Sequence, residues 1–382
     1  MRILHVITTL DVGGAEMHLL SLVGGQTRRG HRVRVAWLKG RGSLTEDFRA
    51  AGAEWTGGVG SGPTLVARLW PHLRWAERVH THLLKADMAA GLAATLAGRR
   101  GALVSSKHND EQVLKRRAVS CLHGLIGRLP RRTIVLSDHV GRFIERYGRV
   151  PPARQTRIYY GLDREPFERA RSMSSGRRAS LRASFGFDAR DFVLVCVARF
   201  AAQKAHEVLL DAFRTALDRS APAAPRLRLL LVGDDPFGDG RARAEARAAE
   251  LDLGRDCVFA GIRRDVAELY GMADAFVLAS LWEGLGLVFL EAMAAGLPVI
   301  ATRVSAVGEV VLDGLTGVLV EAGSAEAMAV AMLRLAGDPA LCRRLGEVGH
   351  ERVREHFGLE RMIEETLAVY EQLGVPMTGP VS

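Results

Sequence analysis

The sequence predicts an α/β protein built from two doubly wound domains in tandem. Short apolar runs rich in Val, Ile and Leu alternate with segments of helical periodicity through most of the 382 residues. This alternation stops in a Ser-, Arg- and Gly-rich stretch at 169–191 and then starts again. The chain is also longer than one ordinary core accommodates. We therefore predict two parallel sheets, each covered by helices on both faces.

The first predicted domain covers residues 1–168 and opens with the strand RILHVIT. Gly13 and Gly14 form a turn after this strand and lead into a helix that begins AEMHLLSLV. Residues 64–76 have helical periodicity, and we expect that helix to break at Pro71. The other predicted helices are SLTEDFRAAG, ADMAAGLAATLAG and DHVGRFIERYG, and the other strands are HRVRVAWL, RVHTHL, ALVSSKHN, RTIVLS and the closing TRIYYGLD.

The second predicted domain covers residues 192–356, with 169–191 as the linker. Its predicted helices occupy 204–218, 241–251 and 264–272, and a further helix follows Gly286. A last helix within 357–382 is expected to cross back onto the first domain. The predicted strands are FVLVCVARF, LRLLLVG, CVFAG, ADAFVLAS and PVIAT.

Composition excludes some classes of function but does not identify the function. An excess of 52 Lys and Arg over 43 Asp and Glu gives a net charge of +9, which suits nucleic acid, anionic lipid or phosphorylated substrates. Zinc-finger spacing and RNA-binding aromatic signatures are absent from the sequence, so we do not expect nucleic acid as a partner. The four cysteines lack metal-ligand spacing, and no apolar run reaches the roughly 18 residues of a membrane span. The first residues read as a strand rather than a signal peptide, which favours a cytoplasmic location.

The stretch WEGLGLVFLEAMAAGLPVIAT, residues 282–302, carries the strongest chemical signal. A buried strand precedes it, and Glu283 stands in the turn where Gly284 and Gly286 lead into a helix that contains Glu291. The first backbone N–H groups of a helix are unpaired and positively polarised, and glycine lets a ligand approach the backbone closely. The pattern therefore predicts a site for an anion with hydroxyl groups close by.

Three motifs together resemble the retaining glycosyltransferases of family 4. VARFAAQKAHEVLLDAF looks like the family's Arg-x4-Lys donor motif, and residues 282–320 look like its Glu-x7-Glu motif with the usual tail. LDVGGAEMHLLSL matches its amino-terminal Gly-Gly-Ala-Glu turn. The resemblance covers nearly the whole chain. It implies the GT-B fold, in which two Rossmann-like domains face each other across a cleft, and an amino-terminal domain that receives the acceptor.

The resemblance also implies roles for individual residues. Glu283 and His108 are the predicted catalytic residues. Glu283 would accept hydrogen bonds from hydroxyls of the transferred sugar, and His108 would lie beside that sugar. Lone histidines are usually structural, so simple packing is the alternative for His108. A glutamate on a helix is usually solvated, which is the alternative for Glu291. The predicted donor-binding residues are Gly13, Gly14, Arg199, Lys204, Gly284, Leu285, Gly286, Leu287 and Glu291. Among these, Arg199 and Lys204 would hold the diphosphate, and Glu291 the ribose hydroxyls.

Other positions leave alternatives open. His80 and His82 resemble the family's His-x-His segment and are acceptor-side candidates, with simple packing as the alternative. We predict no metal there, because the sequence shows no third ligand in register. Tyr160 stands where the family often has Asn. Ala205 replaces a usual Gly, which we expect to be tolerated if the residue is helical.

The acidic loop GDDPFGDG contains Asp234 and Asp235 and invites comparison with an Asp-x-Asp metal site. Because the family has a Gly-Asp-Gly-Pro-like turn at this place, we interpret the loop as structural. The basic-ended apolar segment 115–132 is a candidate for contact with anionic membrane, and a basic solvated helix is the alternative.

The predicted function is metal-independent transfer of a hexose from a nucleoside diphosphate sugar, with a UDP-sugar favoured. The acceptor would be a cell-envelope glycan or a polyprenyl-linked precursor, and no cofactor is expected. Two alternatives remain: a nucleotide-sugar epimerase or glycogen-synthase-like polymerase of similar fold, and a non-catalytic nucleotide-sugar-binding protein. The predicted location is cytoplasmic, with peripheral contact at the plasma membrane.

Overall fold

A computed structural model describes residues 1–62, 64–235 and 238–374 of the chain. They fold as two compact units. The first unit holds residues 1–161 together with the C-terminal segment from Gly358, and the second holds Leu162–Phe357. Each unit contains one sheet, and all strand pairs in both sheets are parallel.

The sheet of the first unit has seven strands in the order β3-β2-β1-β4-β5-β6-β7. The strands are β1 (Arg2–Ile7), β2 (Arg32–Trp37), β3 (Trp55–Gly58), β4 (Arg78–His82), β5 (Leu103–Lys107), β6 (Arg132–Val135) and β7 (Gln155–Arg157). Its α-helices are α1 (Gly14–Arg28), α2 (Thr45–Ala50), α3 (Leu65–Trp75), α4 (Leu84–Leu96), α5 (Arg117–Ile126), α6 (Asp138–Gly148) and the C-terminal α16 (Leu359–Glu371).

Alternate side chains of β1 enter two different cores, which explains why four of its six residues are Ile, Leu or Val. Ile3 and Ile7 join a cluster that includes Leu19 of α1 and Ile363 of α16. Leu4 points to the opposite face, into a cluster formed largely with α3 and α4. A parallel strand covered on both faces loses the polar positions that a half-exposed strand would carry.

The sheet of the second unit has six strands in the order β10-β9-β8-β11-β12-β13. The strands are β8 (Phe192–Val197), β9 (Leu227–Val232), β10 (Cys257–Gly261), β11 (Ala275–Leu278), β12 (Val299–Thr302) and β13 (Gly317–Val320). Its α-helices are α7 (Glu165–Arg171), α8 (Ser175–Ser184), α9 (His206–Arg219), α10 (Gly240–Glu250), α11 (Val266–Met272), α12 (Leu287–Ala294), α13 (Val307–Val310), α14 (Ala325–Gly337) and α15 (Pro339–His356).

The segment 169–191 contains ordered helical structure rather than only a connection. The end of α7 and the whole of α8 lie in it, and both helices belong to the second unit. Ser174 caps α8 by accepting the backbone N–H of Arg177, and Arg182 donates to the carboxylate of Asp274 at 2.7 Å. Arginines that look like linker composition in the sequence are therefore anchors that attach α8 to the loop before β11.

Two local predictions in the first unit are wrong. Helix α3 continues through Pro71 without a break, because the flanking Leu69 and Leu73 are fully buried in the core and hold both halves of the helix in line. The strand β3 was not predicted at all. Its second half is Gly57-Gly58, which has low β-propensity, and pairing with β2 forms the strand despite that.

Helix α16 packs within the first unit. Ile363 lies so close to Gly25 of α1 that a Cβ at Gly25 would be 2.0 Å from its Cδ1. Arg78 of β4 donates its guanidinium Nε–H to the carbonyl oxygen of Tyr370 at 2.8 Å. None of the described helices combines the length and hydrophobicity that crossing a bilayer requires.

Candidate functional site

Each sheet has one point where the strand order reverses direction, between β1 and β4 in the first unit and between β8 and β11 in the second. Loops leaving the carboxyl ends of such a strand pair diverge to opposite faces and leave a crevice between them, where ligands of doubly wound sheets bind. The motif residues predicted from the sequence follow these strands. We describe the two carboxyl edges separately.

In the second unit, the loops after β8 and β11 bring Lys204 and Glu283 together. Lys204 Nζ lies 2.5 Å from Glu283 Oε1, and Ser280 Oγ donates to the same carboxylate oxygen at 2.6 Å. The side chains of Lys204 and Glu283 are 12% and 6% exposed. A charged pair that retains so little contact with water is an expensive feature unless the charges have a use.

Backbone contacts fix the two loops to each other. The backbone N–H of Leu281 donates to the carbonyl of Gln203 at 2.8 Å, and the Gln203 side chain donates to the carbonyl of Trp282 at 2.6 Å. The backbone N–H of Glu283 donates to Ser305 Oγ at 3.2 Å. These bonds hold the carboxylate in position before any ligand arrives.

The structure corrects the local geometry expected at Lys204. This residue ends a short 3₁₀ turn, Ala202–Lys204, and helix α9 starts only at His206. Ala205 between them has a left-handed backbone, with φ 47° and ψ 49°. We expected alanine to be tolerated here if the residue were helical, and it is not. A residue with a Cβ is strained in this region, which explains why glycine suits the position better.

Arg199 lies on the exposed side of the same edge, two residues after β8. Within the described part of the chain its guanidinium makes no ion pair. An exposed arginine fork in the same loop as Lys204 is a suitable group for binding a phosphate.

The turn before α12 has the geometry that its glycines suggest. Gly286 caps the helix with φ +81°, and a Cβ there would lie 2.4 Å from the ring of Phe289. Gly284 and Leu285 are buried, and Leu287 is the first residue of the helix. The polarised amino terminus of α12 is therefore exposed by a turn that only glycine at position 286 permits.

Glu291 lies in α12 and accepts a hydrogen bond from the Tyr270 hydroxyl at 3.1 Å. Burial raises the pKa of the Glu291 carboxyl to about 7, although the bond from Tyr270 opposes this rise. The Glu291 carboxyl therefore loses its proton at a higher pH than an ordinary glutamate does.

In the acidic loop after β9, the carboxylate of Asp235 is hydrogen-bonded to nearby backbone N–H groups. Asp235 accepts the backbone N–H of Gly238 at 2.9 Å and that of Arg241 at 3.0 Å, one with each oxygen. The contacts agree with the structural interpretation of this loop, since a carboxylate engaged on both oxygens is a poor metal ligand.

In the first unit, Gly13 and Gly14 follow β1 and start α1. The carboxylate of Glu16 folds back over this turn, so that a Cβ at Gly13 would lie 2.5 Å from Glu16 Oε2. Nothing within 4 Å would obstruct a Cβ at Gly14. The requirement for glycine at position 13 therefore comes from the chain's own glutamate, whereas position 14 is open to a ligand.

The histidines predicted for this edge are buried rather than exposed. His80 and His82 are 1% and 0% exposed, so neither offers surface to an acceptor, and His108 is 4% exposed. Burial lowers the pKa of His108 to about 3 and those of His80 and His82 well below the usual value. All three imidazoles are therefore neutral, hydrogen-bonding groups at physiological pH.

A third histidine, His5, lies next to His80 and His82 on the neighbouring strand β1. The sequence did not indicate this proximity. The parallel pairing of β1 with β4 sets His5 opposite His80, and ligand atoms of His5, His80 and His82 lie within 4.8 Å of one another. Every ring nitrogen of these three residues already has a hydrogen-bond partner. The expected absence of a metal stays a prediction.

Two further residues at this edge were not predicted as site residues. The ring of His18 of α1 lies against the ring of Tyr160, with centroids 4.4 Å apart and planes tilted by 39°. Its Nδ1 has no partner among the described residues despite near-complete burial. The Tyr160 hydroxyl lies 3.1 Å from His108 Nδ1. The departure from the family at Tyr160 was visible in the sequence, but its contact with His108 was not.

Family models match both halves of the chain. The model for "Glycosyltransferase Family 4" matches residues 12–166, and the model for "Glycosyl transferases group 1" matches residues 177–352.

Similar proteins fall in the same class. The EpsD protein of Bacillus subtilis is 32% identical over 228 residues, 60% of this chain and 58% of EpsD, so the match spans little more than half of that relative. A "GDP-mannose-dependent alpha-(1-6)-phosphatidylinositol monomannoside mannosyltransferase" of Mycolicibacterium smegmatis is 28% identical over 361 residues, 88% of this chain and 89% of the relative.

The crystal structure of Anabaena Alr3699/HepE in complex with UDP-glucose is similar in fold, with a TM-score of 0.83 and 22% identity over 97% of this chain and 100% of that one. The two Rossmann-like sheets, each built of parallel strands, match the GT-B fold expected from the sequence. With both family models matched in chain order, the chain belongs to glycosyltransferase family 4.

Proposed function

We propose that this chain is a retaining glycosyltransferase that moves a hexose from a nucleoside diphosphate sugar to a cell-envelope glycan or a polyprenyl-linked acceptor. The observation that carries the proposal is the nearly buried Lys204–Glu283 pair beside the amino terminus of α12, at the switch point of the second sheet. Cationic groups, a helix start and a carboxylate at one edge are the groups that breaking a sugar–diphosphate bond requires.

The leaving diphosphate would be bound by Arg199, Lys204 and the helix start. Negative charge accumulates on the diphosphate as the glycosidic bond breaks, and fixed positive groups stabilise that charge without having to reorganise. Lys204 would then exchange part of its contact with Glu283 for a phosphate oxygen. We propose that this arrangement makes the reaction independent of a metal ion.

Glu283 would act at the sugar itself. Its carboxylate would accept hydrogen bonds from hydroxyls of the transferred hexose. It would also stabilise the positive charge that develops at the anomeric carbon. His108 is the second proposed catalytic residue. With a pKa near 3 it stays neutral, so it would act through hydrogen bonding rather than as a proton donor.

The nucleotide would be recognised at Glu291, through its ribose hydroxyls. A UDP-sugar is the proposed donor, supported by the fold similarity to a protein solved with UDP-glucose. The mannosyltransferase relative is named for GDP-mannose, so the base is the least constrained part of the proposal. Its named acceptor is a phosphatidylinositol glycolipid, which supports a lipid-linked or envelope acceptor here.

A membrane contact is proposed for the surface around α5. Leu122 and Leu125 are 47% and 74% exposed, and the basic residues Lys115, Arg116 and Arg117 lie beside them, also exposed. Exposed apolar side chains flanked by cations match the boundary of an anionic lipid surface. We expect anionic liposomes at low salt to slow hydrogen exchange in residues 115–132, and a chain that stays wholly unbound would remove this part of the proposal.

The function is tested with a pool of UDP- and GDP-sugars, read by mass spectrometry for transfer or for hydrolysis. We expect turnover with a UDP-sugar in EDTA, with release of the nucleoside diphosphate. The Glu283→Gln variant is the matched inactive control, since it keeps the size of the side chain. Binding of the sugars without any turnover would favour a non-catalytic binding protein. Loss of activity in EDTA that manganese restores would overturn the metal-independent mechanism.

A further inference from the structure

A continuous chain of hydrogen bonds runs through the interior of the first unit and ends at His108. His5 Nε2 lies 2.9 Å from Gln26 Oε1, and His5 Nδ1 lies 3.0 Å from His82 Nε2. His82 Nδ1 lies 3.0 Å from His108 Nε2, and His108 Nδ1 lies 3.1 Å from the Tyr160 hydroxyl. All five side chains are at most 4% exposed. We call these five residues the histidine chain.

The imidazoles of the histidine chain are neutral. Burial lowers the pKa of His5 to about 4 and that of His108 to about 3, and it lowers the pKa of His82 well below its usual value. A neutral imidazole carries one N–H donor and one nitrogen acceptor. A row of such rings must therefore donate in one direction throughout, because a reversal at any ring would set two donors or two acceptors against each other.

The amide of Gln26 gives the histidine chain its direction. Its oxygen faces His5, and its nitrogen donates to the Tyr370 hydroxyl at 3.4 Å. His5 must then donate from Nε2, His82 donates from Nε2 to His5, and His108 donates from Nε2 to His82. At the far end, His108 Nδ1 is left as the acceptor of the Tyr160 hydroxyl proton.

A second branch satisfies the other side of the amide. The Tyr370 hydroxyl lies 2.6 Å from His80 Nδ1, and His80 Nε2 lies 2.7 Å from Ser106 Oγ. Tyr370 can accept from Gln26 and donate to His80, which then donates to Ser106. Helix α16, which carries Tyr370, thus supports the orientation of an amide that lies three hydrogen bonds away from His108.

We propose that Gln26, His5 and His82 are positioning residues that hold His108 as its Nε2–H tautomer, with Nδ1 kept as a hydrogen-bond acceptor. His108 would then accept a hydrogen bond at Nδ1 from a substrate hydroxyl, in exchange for the one from the Tyr160 hydroxyl, and could not donate a hydrogen bond from Nδ1. The inference rests on the proposed function, because it concerns how the catalytic His108 is oriented. It follows from an interior network and not from the motif residues themselves.

The same geometry weighs against the alternative that this group binds a metal. A metal held by His5, His80 and His82 would have to break the His5–His82 bond and at least one bond of His80. The ring nitrogens are already satisfied, so their proximity needs no ion to explain it.

The tautomers are read directly in the folded, unmodified protein. Long-range ¹H–¹⁵N correlation spectra of ring-labelled protein separate the Nδ1–H and Nε2–H forms of neutral histidine, and single His→Gln variants assign the signals. We expect His5, His82 and His108 all to be Nε2–H. An Nδ1–H tautomer or a protonated ring at His5, His82 or His108 at pH 7 overturns the proposed direction of the histidine chain. One equivalent of zinc that remains through purification and is lost in a His5→Gln variant also overturns it.

A matched pair of substitutions tests whether the histidine chain matters to the reaction. His82→Asn keeps an oxygen near the position of Nδ1 to accept from His108, whereas His82→Leu has similar size and offers no acceptor. We expect His82→Asn to keep kcat within about threefold of the wild type, and His82→Leu to lower kcat on the order of ten- to a hundredfold, as an unsatisfied buried N–H implies. Donor KM should change little in both variants.

The melting temperature separates loss of orientation from loss of folding. If the two variants melt alike and His82→Leu alone loses kcat, the positioning role is supported. If both keep wild-type kcat, or both lose it equally, the inference fails, and the spectra of the wild type still test it when a variant does not fold. Failure of the proposed function is a different result, since the wild type itself would then show no turnover with any nucleotide sugar.

Discussion

The two carboxyl edges of this chain share one topology and differ in their chemistry. In the second unit the switch point holds charge, with Lys204 paired to Glu283 and Arg199 exposed beside it. In the first unit the same point of the sheet holds neutral imidazoles, of which His82 and His108 are the nearest to the strand ends. The same parallel topology therefore carries a nearly buried ion pair at one edge and buried neutral imidazoles at the other.

The difference follows from how each edge treats water and charge. Desolvation makes a buried ion pair costly, and the hydrogen bond from Ser280 to the Glu283 carboxylate offsets part of that cost. Buried histidines avoid that cost by remaining neutral, and they gain stability only while every ring nitrogen keeps its partner. The comparison therefore predicts that acid destabilises the first unit more than the second, and that the loss of one group has different effects at the two edges.

The largest expected difference is in acid stability. The pKa values of His5 and His108 are lowered to about 4 and about 3, so folding excludes protons that the unfolded chain binds below about pH 6.5. Each should therefore cost the first unit about 2 kcal/mol of stability on going from pH 7 to pH 5. In the second unit, acid should also lower stability through His206, whose pKa is lowered to about 4. Through Glu291, acid should raise stability.

The sign for Glu291 is opposite because its pKa is raised in the folded state, to about 7 from 4.5. Its contribution to stability is fully present below pH 4.5 and is lost as the pH rises through 7. Acidification therefore stabilises the second unit through Glu291 while it destabilises the first. Hydrogen exchange with mass spectrometry at pH 7 and pH 5, corrected for intrinsic rates, should show earlier opening of residues 1–161. Earlier opening of Leu162–Phe357 would contradict the comparison.

The next largest effect is expected at the charged edge. Glu283→Gln removes a charge that would stabilise the transition state and should lower kcat about ten- to a hundredfold, since a hydrogen bond to a charged group is worth roughly 1.5–3 kcal/mol. Donor KM should change less. Glu250→Gln, at an exposed glutamate of α10, is the control and should leave both constants unchanged. Unchanged kcat in a folded Glu283→Gln variant would mean that the pair with Lys204 is structural.

A smaller effect is expected in nucleotide affinity. In the proposed ribose contact, the carboxylate form of Glu291 would accept hydrogen bonds from the hydroxyls better than the acid form, and its pKa is about 7. The affinity for UDP-glucose, whose diphosphate does not titrate in this range, should therefore rise several-fold, by about 1 kcal/mol, between pH 6 and pH 8. Calorimetric titration measures this change, and Glu291→Gln should bind more weakly and equally at both pH values. A pH dependence that persists in Glu291→Gln would assign it to another group.

The smallest effect concerns the backbone at the charged edge. Ala205 is left-handed, so Ala205→Gly should raise the free energy of unfolding by about 1 kcal/mol. Ala202→Gly, at a position without a positive φ, should lower it by about 0.5–1 kcal/mol. Urea unfolding of both variants checks the pair. A loss of stability in Ala205→Gly would show that the strain is not present in solution.

The sequence indicated which residues lie together at the second unit's edge, but it did not indicate the histidine contacts of the first unit. Lys204 and Glu283 lie in the loops after two adjacent strands, so short motifs suffice to place them at one edge. His5 joins His82 through the register of β1 on β4, and Tyr370 reaches His80 from 290 positions along the chain. Such contacts depend on tertiary packing, which no local pattern encodes. The left-handed Ala205 was missed because alanine gives no sign of that conformation.

The most direct test of the proposed chemistry is the anomer formed first when the enzyme hydrolyses or transfers from its donor in EDTA. Proton NMR follows the anomeric signal before mutarotation mixes the products. The account predicts an α product from an α-linked nucleotide sugar, formed at the same rate with and without the chelator. A β product first, or a rate that collapses in EDTA and returns with manganese, would contradict retaining, metal-independent transfer at the Lys204–Glu283 edge.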